Sequence, residues 1–301
     1  MRYGEIDLCA IMKYAAVVSR ACPQLAVMRP LLSTRVAVAP TASLVGVAQS
    51  ALAPLAALPI AVRDPLSSVG LVVASVAWIK LCNLLSGSGL TSQYLSRKLV
   101  HMGSGPLFLL MWPIFSDTPN GQIFASLVPV LSILRLLRAG SRKDGGQADL
   151  VQAVSRSGDK KEALGGPMIY TIVLLLSTVF GWRSLVSAVA VCQMAIGDGM
   201  ADVIGRRYGS TRWPKFLEAT GKKSVEGSVA FVVFAFLSSI GFVTLFGATG
   251  LTSLAPAAVA PSLLLISILA AIVELLPIGD DNLNVPVAAA VLSIALLPGI
   301  M

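Results

Sequence analysis

Charge is what this chain has least of: only 13% of its 301 residues are Asp, Glu, Lys or Arg, against 55% hydrophobic residues and a mean hydropathy of +0.81. A water-soluble globule could not cover that much apolar side chain with so little polar surface, so a soluble fold is excluded. The four cysteines, Cys9, Cys22, Cys82 and Cys192, show no paired or metal-ligand spacing, which removes a disulfide framework and a zinc site and leaves them as small buried hydrophobes. There is a single histidine, His101, and no GxxxxGK[ST] phosphate loop, so a P-loop nucleotide fold is excluded, and a soluble-kinase signature and internal repeats are also missing. No acid occurs between Asp7 and Asp64, while Lys13, Arg20, Arg29 and Arg35 are scattered there among Ala, Ser, Thr and Val. That is the composition of an organelle transit peptide, and residues 1–60 are expected to be one, or an N-terminal arm, with 61–301 forming the membrane domain.

What is present instead is a series of apolar runs, at 66–85, 99–115, 122–137, 167–182, 185–200, 225–246, 255–276 and 285–300. Each approaches the ~20 residues that a helix needs to cross ~30 Å of hydrocarbon. The expectation is an all-α, polytopic integral membrane protein with about 7–8 transmembrane helices. The net charge of +8 does not point to nucleic acid, because the basic residues are not spread over one soluble face. With alternating spans, Arg97, Lys98, Arg142, Lys143, Arg156, Lys160, Lys161, Arg206, Arg207, Arg212, Lys215, Lys222 and Lys223 all fall on one side, and Arg183 stands nearly alone on the other. The basic side is cytosol or stroma by the positive-inside rule. Asp280 and Asp281 fall on that side as well, so charges of both signs share one aqueous border.

The sharpest segment is GDGMADVIGRRYG, 197–209. Asp198 and Asp202 are four residues apart, one helical turn, with Arg206 continuing the same row. Such a face suits a divalent cation and the phosphates it carries; the competing reading is an interhelical ion-pair network with glycines for close packing. Three further groups lie at the same border. Arg97 and Lys98 lead into His101, with Arg97 and His101 on one helical face. Lys222, Lys223 and Ser224 precede a long apolar span, where a helix N-terminus and lysines make a phosphate cradle or Ser224 is simply an N-cap. Glu274 ends an apolar run and needs a cation or metal, and Asp281 and Asn282 offer oxygen donors suited to Mg²⁺. As a set these groups supply what phosphoryl transfer requires, with the apolar helices left to hold a lipid acceptor.

RKLVHMGSGPLFLLMWPIFS, ASLVPVLSILRLL, GGPMIY, GDGMADVIGRRYGS, GKKSVEGS and VELLPIGDDNLNVPV occur in that order, and over about 97–298 the chain resembles the polyprenol kinase family, most closely the phytol and farnesol kinases. The resemblance implies a multi-pass chloroplast membrane enzyme that phosphorylates phytol with CTP and Mg²⁺, feeding tocopherol biosynthesis. Asp198, Asp202 and Asp281 are then expected to hold the metal. Arg97, Lys98, Gly199, Gly205, Arg206, Lys222, Lys223, Ser224 and Asn282 would bind the nucleotide, and Asp198, Asp202, Glu274 and His101 would do the chemistry. The connection KFLEATGKKS departs from the family pattern and leaves open which of Lys222 and Lys223 is the phosphate ligand. The alternatives are another polyprenol as acceptor, a CTP-dependent lipid cytidylyltransferase, or a transporter whose charges line a solute path.

Overall fold

The computed structural model describes residues 54, 57–141, 148–155, 159–214, 223–277 and 279–298. Nearly all of the expected targeting arm, and Lys222, lie outside these residues. In order, the long helices are α1 (Ile60–Gly87), α2 (Gln93–Leu110), α3 (Pro119–Ser141), then a short α4 (Ala148–Val154) and a 3₁₀ turn (Lys160–Leu164), followed by α5 (Gly166–Phe180). Next come α6 (Leu185–Cys192), a π-turn (Gln193–Gly197) and α7 (Asp198–Tyr208), then α8 (Val225–Ala248), α9 (Pro256–Leu275) and α10 (Asp281–Leu296). No strand occurs among the described residues; the one β-bridge pairs Arg212 with Ser224. The expected all-α membrane architecture is what is found, with every apolar run lying within or overlapping a helix.

Among the described residues, six segments are long and apolar enough to cross a membrane. The two remaining passes fall short for physical reasons. α2 carries Arg97, Lys98 and His101 in its first half, and α10 has 16 residues. Helix ends are set by local chemistry. Ser92, Ser184, Ser224 and Asp280 cap α2, α6, α8 and α10 by accepting a backbone N–H. Pro167 and Pro256 start α5 and α9, where a missing N–H is harmless.

α6, the π-turn and α7 run on as one helix through the centre of the bundle, packed by α8, α10, α2 and α9. Its most apolar window is 61% buried inside the protein, against 17% for α1, which turns Val62, Leu66, Val69 and Val73 outward. In a membrane such an outward apolar face meets lipid and needs no partner. α7 and α8 cross closely because both are glycine at the contact: a Cβ on Gly227 would lie 2.8 Å from the Ala201 carbonyl oxygen, and one on Gly205 3.4 Å from Gly227 Cα.

Candidate active site

The central helix delivers Asp198 and Asp202 to the basic border, and α2 crosses it with Lys98 and His101. Lys98 is almost fully buried and lies between the two aspartates, its Nζ 2.9 Å from Asp202 Oδ2 and 3.6 Å from Asp198 Oδ2. Arg206, one turn after Asp202, donates from Nε to Asp202 Oδ1 at 2.6 Å. Asp202 is thus held by two cations. His101 Nε2 stands 3.4 Å from Asp198 Oδ2 and 3.2 Å from the Met194 carbonyl oxygen.

Across from this face, Lys223 comes in from the start of α8. Its Nζ lies 2.9 Å from Glu274 Oε1 at the end of α9, 3.1 Å from Asp281 Oδ2 at the start of α10, and also donates to the Glu274 carbonyl. Burial disfavours the Lys223 ammonium, but the Glu274 and Asp281 carboxylates outweigh that and raise its pKa above the ordinary lysine value. Carboxylate oxygens of Asp198, Glu274 and Asp281 lie within 4.8 Å of one another. Three carboxylates so close repel unless a cation is shared between them, and all-oxygen donor sets suit hard divalent ions such as Mg²⁺. The donor set therefore fits a metal that carries phosphates.

These charges line one end of a cavity of about 1090 Å³. Arg97, Arg135, Lys161 and Arg212 also line it, and its other limb runs between α2, α3 and α5, past Phe108, Val128, Leu136 and Leu174. One space thus joins carboxylates and cations to an apolar slot reaching into the bundle.

Most of the expected site residues converge here, with some redistribution. Glu274, expected to do chemistry, joins Asp198 and Asp281 as the third close carboxylate, whereas Asp202, expected as a metal ligand, is engaged by Lys98 and Arg206. Gly199 is buried against Met102, where a Cβ would come within 2.2 Å of Cγ, and does not line the cavity; Gly205 lines it while also serving the α7–α8 crossing. Ser224 caps α8, its Oγ accepting from Gly227 N at 3.1 Å. Asn282 donates from its backbone and from Nδ2 to Asp280 Oδ1, and its buried Oδ1 has no protein partner, an acceptor left for a ligand donor at the cavity wall.

Tyr94 escaped the sequence reading. The Arg97 and Arg206 guanidinium carbons stand 5.9 and 4.8 Å from its ring centroid, so one aromatic ring gathers two arginines that line the cavity. Its position three residues before Arg97 on a helix was the available signal. Gln193 was missed too, although an amide inside AVAVCQMAIG is conspicuous in an apolar run.

No family model and no solved structure matches the chain. It is 40% identical over 226 residues to probable phytol kinase 1, chloroplastic, of Glycine max, covering 74% of this chain and 73% of that protein. It is 36% identical over 237 residues to phytol kinase 1, chloroplastic, of Arabidopsis thaliana, covering 76% of each chain. With farnesol kinase, chloroplastic, of Arabidopsis thaliana it shares 38% identity over 208 residues, 67% of this chain and 65% of that one. Likeness of this degree over most of the chain means that this protein belongs to the family of the phytol and farnesol kinases.

Proposed function

We propose that this protein is a CTP-dependent phytol kinase of a chloroplast membrane, transferring the terminal phosphoryl group of CTP to phytol with Mg²⁺ as the cation and so feeding tocopherol biosynthesis. The observation that carries this reading is the single cavity in which the Asp198, Glu274 and Asp281 carboxylates meet an apolar limb. A nucleotide triphosphate needs the first and an isoprenoid alcohol the second. Residues 1–60 act as the transit peptide in this reading.

Asp198, Glu274 and Asp281 hold the cation, which when bound neutralises phosphate charge as the transfer proceeds. Lys223 and Lys98 balance the surplus carboxylate charge, and Arg206 and Arg97 bind phosphate oxygens at the rim. Asp202 orients Lys98 and Arg206 by its ion pairs. The apolar limb holds the alcohol's hydrocarbon and leads its hydroxyl to the charged end, excluding water that would otherwise accept the phosphoryl group. The hydroxyl oxygen bonds to the terminal phosphorus as the bond to the bridging oxygen breaks, giving the alkyl phosphate and CDP. The alcohol's proton leaves to an oxygen of the transferred phosphate, since Glu274 is engaged by the cation and Lys223; a loose transition state asks little of a base.

The test is to incubate membranes containing the protein with Mg²⁺, phytol, farnesol, geranylgeraniol or dolichol, and γ-labelled CTP or ATP. Label in phytyl monophosphate, stronger from CTP, is expected, and it should fall by at least ~100-fold in Asp198→Asn at equal protein level. Preferred labelling of another alcohol would replace phytol as the substrate. Release of pyrophosphate in place of CDP would identify a cytidylyltransferase, and an active Asp198→Asn protein would remove the assigned site.

A further inference from the structure

The central helix is regular except at Gln193–Gly197, immediately before Asp198. A π-turn carries one residue more than an α-turn, so it rotates every later side chain about the axis and leaves one carbonyl outside the helical ladder. Both consequences appear in the site. The Asp198 N–H donates to the Gln193 carbonyl across the widened turn, so the start of α7 is set by where Gln193 sits. The Met194 carbonyl is turned to α2, where His101 Nε2 meets it at 3.2 Å. A carbonyl only accepts, so Nε2 bears the proton and the imidazole is fixed in one orientation beside Asp198.

Such a turn persists only where surrounding contacts hold it. Gln193 is completely buried, and its Nε2 donates to Ser239 Oγ on α8 at 3.3 Å and to Ser267 Oγ on α9 at 3.0 Å. Those hydroxyls each donate to their own helix, to the Ala235 and Leu263 carbonyls, so they present lone pairs to the amide. The other end of the turn is held against α8 as well: a Cβ on Gly197 would come within 2.9 Å of the Phe231 ring. Gln193 Oε1 has no protein partner, so the buried amide carries an unsatisfied acceptor that a leucine of similar size would not. A residue retained for packing alone would be the apolar one.

We infer that Gln193 is a positioning residue for phosphoryl transfer: its amide, clamped between Ser239 and Ser267, fixes the register of the π-turn and thereby places the Asp198 carboxylate and the His101 ring. The inference rests on Asp198 holding the cation, as proposed above. It separates function from stability, since removing the amide should loosen the site while relieving an unsatisfied group.

The experiment compares wild type, Gln193→Leu, the Ser239→Ala/Ser267→Ala double variant and Asp198→Asn, each purified as the full chain in detergent. Mn²⁺ affinity is read from the electron paramagnetic resonance of free Mn²⁺, alongside melting temperature, kcat and the KM for phytol. Gln193→Leu should weaken Mn²⁺ binding and lower kcat by about tenfold, the size of one lost buried contact, with an unchanged phytol KM and an equal or higher melting temperature. The serine double variant should shift Mn²⁺ affinity in the same direction. Wild-type Mn²⁺ affinity and kcat in Gln193→Leu, with Asp198→Asn impaired in both, would overturn the positioning role alone. A lowered melting temperature with unchanged affinity would do the same and make Gln193 a packing residue. If Asp198→Asn itself bound Mn²⁺ and turned over normally, the reading of the site would fall first. Should Gln193→Leu not fold, the serine pair decides by the same criterion.

Discussion

At the border where α1 begins, Asp64 is completely buried, its Oδ1 accepting from Ser116 N at 2.8 Å and its Oδ2 from Ser116 Oγ at 2.5 Å, with Arg63 Nε 3.9 Å away. Beside it Arg183, at a left-handed φ of 57°, donates to the Phe115 carbonyl at 2.9 Å. At the opposite border Asp198, Glu274 and Asp281 crowd together against Lys98, Lys223 and a cavity. Both borders carry buried charge, but the second brings three carboxylates together beside a cavity. A carboxylate whose two oxygens are filled by hydroxyl and backbone donors staples a loop to a helix. Three carboxylates within one ion's reach are an arrangement that folding alone would avoid, and that is the stronger mark of function.

The most direct way to break this contrast is to neutralise one acid at each border. Asp281→Asn is expected to reduce kinase turnover by ~100-fold or more while the protein accumulates and melts as wild type, because a group aimed at transition-state charge contributes little to the fold. Asp64→Asn should do the reverse. Leaving Ser116 with a poorer acceptor in a buried site should cost about 1–3 kcal/mol of stability, with turnover per folded molecule unchanged. Measuring thermal stability and specific activity on the same detergent preparations checks both, and equal effects from the two variants would erase the distinction between the borders.

Much of this was legible in the sequence. Apolar run length located all eight helical segments, six of them long and apolar enough to cross a membrane among the described residues, and alternation placed Arg97, Lys98, Asp198, Arg206, Lys223 and Asp281 on one border. What was not legible was partnership. Spacing paired Asp198 with Asp202, because i and i+4 share a helical face, yet α9 and α10 bring Glu274 and Asp281 to Asp198 as a group of three carboxylates, while Lys98 and Arg206 engage Asp202. Periodicity within one helix says nothing of which neighbour faces it. The π-turn was hidden for a related reason: apolar pattern over 185–200 is too even to reveal one extra residue, and only the Ser239 and Ser267 hydroxyls on other helices show where it is held.

The contrast sharpens within the active border itself, between its charged end and its apolar limb. Ser132 lines the limb from α3 and already donates to its own Val128 carbonyl, so its hydroxyl is not needed by a ligand. Ser132→Phe fills the slot without adding charge. It should raise the KM for phytol about tenfold, the scale of one displaced apolar contact of roughly 1–2 kcal/mol, and leave the nucleotide KM unchanged. The shorter farnesol should be affected less than phytol. A change in nucleotide KM instead would mean that the two ends of the cavity are not separate binding regions.

The smallest expected effect lies at the rim, where Tyr94 gathers Arg97 and Arg206. An aromatic face under a partly exposed guanidinium contributes about 0.5–1 kcal/mol, so Tyr94→Leu should raise the nucleotide KM by about two- to fivefold with kcat and phytol KM nearly unchanged. Tyr94→Phe keeps the ring and should restore most of that loss. Steady-state kinetics with each substrate varied in turn separates the outcomes. If Tyr94→Phe behaved as badly as Tyr94→Leu, the hydroxyl and not the ring would be the operative group, and Tyr94 would act through neighbouring Asp202 in place of the two arginines. A loss of kcat at saturating nucleotide would carry the influence of Tyr94 further still, through Asp202 and Lys98 to the Asp198 carboxylate, and make the charged border one connected network instead of a cation-binding core with a phosphate-gathering rim.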